Sequence, residues 1–209
     1  MKLVDISPRL SARLAVWPGD VPFQRTVSLD FETGDHLGLS SISTTVHAGA
    51  HTDAPSHYVS NGQGIADRSL ERYFGRCEVM RLEVPRGHRI KPGDLPRLPT
   101  EPRLLLATGT YPDPHTFNED FAALSPELVD HLHAHGVQLV GIDTPSIDPC
   151  EDKDLLSHNA IAKHDMAILE GIVLTDVPEG AYTLIALPLP IEGSDASPVR
   201  AVLVDPPVA

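Results

Sequence analysis

Three histidines and an aspartate fall within eleven consecutive positions of this chain, His47-Ala48-Gly49-Ala50-His51-Thr52-Asp53-Ala54-Pro55-Ser56-His57. Neutral imidazole and carboxylate are ligands that zinc and manganese accept, and a catalytic metal site holds three protein groups while keeping one position open for water. His47, His51 and Asp53 supply such a trio. A bound divalent ion can lower the pKa of its water from about 15.7 to about 7, so hydrolysis needs no protein nucleophile. His57 is then left for proton transfer. The bland alternative is a turn rich in solvated histidines, and the density of ligands in so short a loop counts against it.

A fainter second group lies downstream. His158, in Leu156-Ser157-His158-Asn159-Ala160, and Glu170, in Ile168-Leu169-Glu170-Gly171, stand either side of a short helical stretch. Glu170 interrupts an apolar run, where an unpaired carboxylate is costly, so a metal or a cationic partner is expected. A salt bridge would also serve, and His164 competes with His158 for the histidine position. His131, His133 and His135 read as solvated surface, because they end a helix whose dipole favours positive charge there. The sequence has no G-x-S-x-G nucleophile elbow and no H-E-x-x-H zinc helix, which weakens the serine esterase and zincin readings.

The step from His47 to His51 would suit a helix face, but Gly49, Thr52, Asp53 and Pro55 oppose a helix. The pattern instead predicts a strand over 39–47 running into a loop. Ser41, Ser43, Thr45 and His47 would then share one face and deliver His47 to a polar cleft. Further strands are predicted over 2–7, 77–84, 104–107, 137–142, 171–175, 182–187 and 199–204. One helix is marked by Ser125 as N-cap, Pro126 at its first position, apolar Leu128, Val129 and Leu132, and Gly136 as terminator. A shorter helix is predicted over 155–163. Strands outnumber helices without regular alternation, which favours a mixed α/β domain over a doubly wound nucleotide-binding one. No G-x-G-x-x-G or Walker loop argues otherwise.

The 209 residues suit one domain, 1–209, and 41% hydrophobic with 22% charged residues is ordinary globular usage. The 20 prolines are spread through turns and mark no linker. A net charge of -13 repels phosphate backbones and disfavours nucleic acid as a partner. Asp5 interrupts what a secretory signal would need as an apolar stretch, and the apolar run 183–191 is broken by Pro188 and Pro190 and far short of the roughly 20 residues that span a bilayer. Cys77 and Cys150 match no zinc-ribbon or redox spacing and read as buried, reduced thiols. A soluble, cytoplasmic protein is expected.

The segment from His47 to His57 resembles the H-x-G-T-H-x-D-x-P-x-H signature of the metal-dependent cyclase-like hydrolases. Val4-Asp5-Ile6-Ser7-Pro8, Trp17-Pro18-Gly19-Asp20 and Gly141-Ile142-Asp143-Thr144-Pro145-Ser146 extend the likeness over nearly the whole chain, toward the kynurenine formamidase (arylformamidase) branch. Ala50 departs from the signature's threonine, which is not a ligand. The resemblance implies a compact swivelling β/β/α domain, commonly a homodimer. It implies two Zn2+ ions per subunit, one held by His47, His51 and Asp53, the other by the bridging Asp53 with His158 and Glu170. It further implies that His57 donates and accepts the proton, that Trp17 contacts the substrate, and that N-formyl-L-kynurenine is hydrolysed to L-kynurenine and formate in tryptophan breakdown. Alternatives are another aryl or cyclic amide such as isatin, on the same scaffold, and a metal-binding domain without turnover.

Overall fold

In the strand Arg103–Ala107, Leu104 and Leu106 join one apolar cluster and Leu105 and Ala107 another, and all four are fully buried. Alternate side chains of one strand therefore enter cores on opposite faces of a sheet, as expected for a strand covered on both sides. The computed structural model describes residues 1–208. Its elements run β1 Lys2–Asp5, β2 Gln24–Leu29, β3 Leu39–Ser43, β4 His51–Asp53, β5 Phe74–Arg81, β6 Arg89–Ile90, β7 Arg103–Ala107, β8 Ala123–Leu124, α1 Pro126–Ala134, β9 Leu139–Ile142, α2 Leu156–Lys163, β10 Ala167–Leu169, β11 Gly180–Ile185, β12 Ala196–Pro198 and β13 Val202–Asp205. The result is a mixed α/β fold with few helices.

Seven strands form the main sheet in the order β1-β13-β11-β5-β7-β9-β10. The first four pair antiparallel, and β5, β7, β9 and β10 form a parallel block. Helix α1 begins where the sequence predicts, with Ser125 Oγ accepting from the Leu128 amide at 3.2 Å. Leu128, Val129 and Leu132 of α1 and Ile161 of α2 pack on Met80, Leu106, Val140 and Ile168, so both helices cover one face. The opposite face is covered by loops and short strands carrying Ile6, Ala50, Ala54, Ile172 and Leu174. Cys77 lies in that second core, where burial pushes its thiol up to about 12. Cys150, expected to be buried, is only half-buried in the loop after β9, and both thiols are free.

Three expectations fail in detail. The strand over 39–47 stops at Ser43, and its only strand partner is β2, in an exposed hairpin. Ser41 and Ser43 are exposed on that hairpin, and His47 stands in a turn. The stretch read as a ligand-bearing loop instead contains a strand, β4, antiparallel to β12. The predicted strand 171–175 is not one. Ile172 and Leu174 are buried in alternation, but the amide of Val173 bonds the Ile6 carbonyl at 2.8 Å and no ladder forms. Gly171 turns the chain at φ +63, which ends the real strand, β10, at Leu169. No helix among the described residues is long and apolar enough to cross a membrane.

Gly171 also lies against the loop that carries His47. A Cβ built there would sit 2.2 Å from the Gly49 carbonyl oxygen, a backbone atom with little freedom to move. Gly171→Ala should therefore lower stability by about 2–4 kcal/mol, from strained φ plus the clash. Denaturant unfolding checks this, and a midpoint equal to the parent's would show that the two loops can part freely.

Candidate metal centre

His51 and Asp53 are two residues apart on β4, so their side chains emerge on the same side, while Thr52 points away and its hydroxyl donates to the Ile168 carbonyl at 2.6 Å. The backbones of His51 and Glu170 exchange two hydrogen bonds, at 3.1 and 2.9 Å, which brings the residue after β10 against β4. His47 arrives from the preceding turn and His158 from the first turn of α2. His51, Asp53, His158 and Glu170 are each 2% exposed.

The distances describe two donor sets sharing one carboxylate. His47 Nδ1 and His51 Nε2 lie 3.1 and 3.5 Å from Asp53 Oδ1. His158 Nε2 lies 3.4 Å from Asp53 Oδ2 and 3.7 Å from Glu170 Oε1, and His51 Nε2 is 3.1 Å from Glu170 Oε2. The groups His47, His51, Asp53 and Asp53, His158, Glu170 each place one ligand atom per residue within 4.8 Å of the others.

The ring orientations bear on what belongs between them. His51 Nδ1 donates to the Gly49 carbonyl at 2.9 Å, and His158 Nδ1 to Asp148 at 2.8 Å. Each ring therefore turns its Nε2 toward the carboxylates, as metal-binding histidines do. Asp53 Oδ1 is buried and accepts no hydrogen bond, although two imidazole nitrogens approach it. Imidazole nitrogens and carboxylate oxygens converging on one buried point form a donor set that fits a divalent cation such as zinc.

The electrostatics of the side chains agree. Burial opposes charging of His158, but Asp148 and Asp53 outweigh it and raise its pKa to about 10. At His47 burial is likewise outweighed, by Asp53 and Asp195, and the pKa rises to about 9. Burial works to neutralise Asp53, yet the imidazoles of His158 and His47 hold its carboxyl well below the usual carboxylate range. The cluster is anionic at heart and draws in positive charge, as protons or as a metal.

Two carboxylates in this arrangement gave no sign in the sequence. Asp195 Oδ2 lies 2.9 Å from His47 Nε2 and 3.2 Å from His57 Nδ1, so one oxygen holds both rings and leaves His57 Nε2 for other partners. Its 138-residue separation from His57 hides it from any spacing argument. Asp148 accepts from the Ser157 and His158 amides at 3.0 Å, capping α2 at a distance while fixing the His158 ring. His164 is placed elsewhere, with Nε2 2.6 Å from Asp130 and its ring stacked on His133. His131 and His135 pair on the same outer surface, and none of these rings joins a candidate metal group among the described residues.

A cavity of about 570 Å³ opens onto the cluster, within the usual range for small-molecule sites. Trp17 lines it and meets Phe117 edge-on, with centroids 5.4 Å apart. Tyr111 and Phe117 line the same wall. Asp143, from the Gly-Ile-Asp-Thr-Pro-Ser segment, also borders the cavity but is occupied structurally, accepting from the Thr108 and Gly109 amides at 2.8–3.0 Å.

Comparison with known proteins places this geometry in a family. The model of the Cyclase family, described as "Putative cyclase", matches residues 4–149, which include the His47–His57 segment and stop short of His158, Glu170 and Asp195. A structure described as a potential metal-dependent hydrolase with cyclase activity superimposes with a TM-score of 0.82 at 27% identity, over 97% of this chain and 96% of that one. A "predicted metal-dependent hydrolase" from Bacillus stearothermophilus gives 0.82 at 27% identity, covering 97% of each chain. Isatin hydrolase A from Labrenzia aggregata gives 0.81 at 21% identity, over 97% of this chain and 93% of its own, a likeness of fold. The chain belongs to the Cyclase family and shares its cyclase-like fold with metal-dependent hydrolases.

Proposed function

We propose that the chain hydrolyses an aryl formamide, N-formyl-L-kynurenine, to L-kynurenine and formate, with divalent ions, zinc in the first instance, held by His47, His51 and Asp53 and by Asp53, His158 and Glu170. The observation that carries the reading is the buried, unpartnered Asp53 Oδ1 between two imidazole nitrogens in the lining of an aromatic-walled cavity. When bound, a divalent ion supplies activated water and polarises the amide carbonyl. The other steps fall to the chain. His57, held at Nδ1 by Asp195, has Nε2 available to take a proton from water and pass it to the departing arylamine nitrogen. Trp17, Tyr111 and Phe117 offer ring faces and edges to the aryl group, each aromatic contact adding about 0.5–1.5 kcal/mol beyond area burial.

A second reading is hydrolysis of a cyclic aryl amide such as isatin, supported by the fold shared with isatin hydrolase. A homodimer is also part of the proposal, supported by apolar side chains on and around the β2–β3 hairpin, among them Phe31 at 68% and Ile42 at 63% exposure. Sedimentation should show a dimer, and a monomer at micromolar concentration would remove that element.

Exhaustive chelation should abolish hydrolysis of formylkynurenine, and zinc should restore it. Full activity in metal-free protein would refute the reading, whereas faster turnover of isatin than of formylkynurenine would select the second. His57→Ala should lower kcat by about 10²–10⁴ while the protein keeps its metal. Loss of metal in that variant, measured by elemental analysis, would make His57 a ligand instead of the proton carrier.

A further inference from the structure

One charge in the cavity is used neither by the metal cluster nor by His57. Arg81 ends β5 and is the only lysine or arginine lining the cavity, whose acids are Asp20, Asp53, Asp143 and Glu170. Its Nη2 donates to the carbonyls of Leu174 at 3.4 Å and Val177 at 3.2 Å. Glu179 bonds the Arg81 backbone amide at 2.9 Å, and among the described residues the guanidinium forms no salt bridge. A guanidinium has five donors in a planar fork suited to a carboxylate; here its side-chain partners are two neutral carbonyls, while Glu83, Asp94 and Glu179 line a second pocket beside it without a salt bridge to it.

The topology sets its distance from the proposed ligands. The parallel strands lie in the order β5-β7-β9-β10; β5 ends on Arg81, and one residue past the ends of the other three stand Thr108, Asp143 and Glu170. Three strand spacings of about 4.8 Å put the backbones of Arg81 and Glu170 roughly 14 Å apart, and both residues line the same cavity, Arg81 as an exposed side chain and Glu170 as a buried one. Ile172, Val173 and Leu174 line the cavity between them. We propose that Arg81 is an anion subsite, which receives a carboxylate carried by the aryl substrate at the end remote from the amide that is cleaved. In an N-formylated aryl amino acid of the kynurenine type, seven bonds of about 1.5 Å or less separate the formyl carbon from the carboxylate carbon, a reach of roughly 8–9 Å when extended. Isatin is neutral and has no such group, so the subsite favours the first functional reading, on which this inference rests, over the second.

The test compares formylkynurenine with neutral formanilide on the zinc-loaded parent, Arg81→Gln and Arg81→Lys. Arg81→Gln should lower kcat/KM for formylkynurenine by about tenfold to a hundredfold more than for formanilide, mainly through KM, with part of the loss recovered in Arg81→Lys. Equal losses on both substrates would make Arg81 a structural residue and overturn the proposal. Binding tests it without turnover or variants. Trp17 is the only tryptophan, and its fluorescence should report tighter binding of 4-oxo-4-phenylbutanoate than of its methyl ester, by about tenfold. Equal affinities would overturn the subsite even if formylkynurenine is hydrolysed. Preference for the acid with no hydrolysis of either formamide would keep the subsite and sink the functional reading.

Discussion

Asp53 and Glu170 are carboxylates buried side by side, and an ionised carboxylate removed from water costs several kcal/mol unless positive charge stands next to it. No lysine or arginine lines the cavity near them except Arg81, several strands away. The fold instead sets imidazoles around the pair and fixes the rings from behind, His51 through the Gly49 carbonyl, His158 through Asp148 and His47 through Asp195. Much of the irregular structure follows from that need. The turn at Gly171, the pairing of β4 with β12 and the short reach from Asp148 to the start of α2 each place one member of the cluster.

The parallel block explains why the site lies where it does. Its four strands end on the same side, and loops leaving those ends border a single cavity, the usual place for ligands in sheets of this kind. The antiparallel half extends the same sheet beyond β5. Its strands pair through long sequence separations, β1 with β13 and β5 with β11, and hold the two halves of the chain in one layer.

Local chemistry was legible in the sequence wherever one segment carried it. The Ser125 cap, the Pro126 start and the apolar strand over 104–107 are local patterns, and the structure shows each of them. The grouping of His47, His51 and Asp53 is local too, although the reading assigned its parts the wrong way round. A turn carries His47 and a strand carries the other two, because three residues of strand are too few to leave a periodic signal. Long-range partners were invisible for a different reason. Asp195 meets His57 only because β12 pairs with β4, and nothing in the tetrapeptide Glu192-Gly193-Ser194-Asp195 distinguishes it from an ordinary turn. The strand predicted over 171–175 failed because alternating burial arises from packing on a core as readily as from a ladder.

The single Asp195 oxygen shared by His47 and His57 ties two jobs to one hinge. With His47 as a proposed ligand, a shift of its ring toward a larger or smaller cation would pull on that oxygen, and through it on the neighbouring imidazole. Under the proposed function, exchanging one ion for another would therefore not be a purely inorganic substitution, because the imidazole proposed to carry the proton would be re-aimed by the same movement. Selection on ion preference and selection on turnover would act on the same side chain.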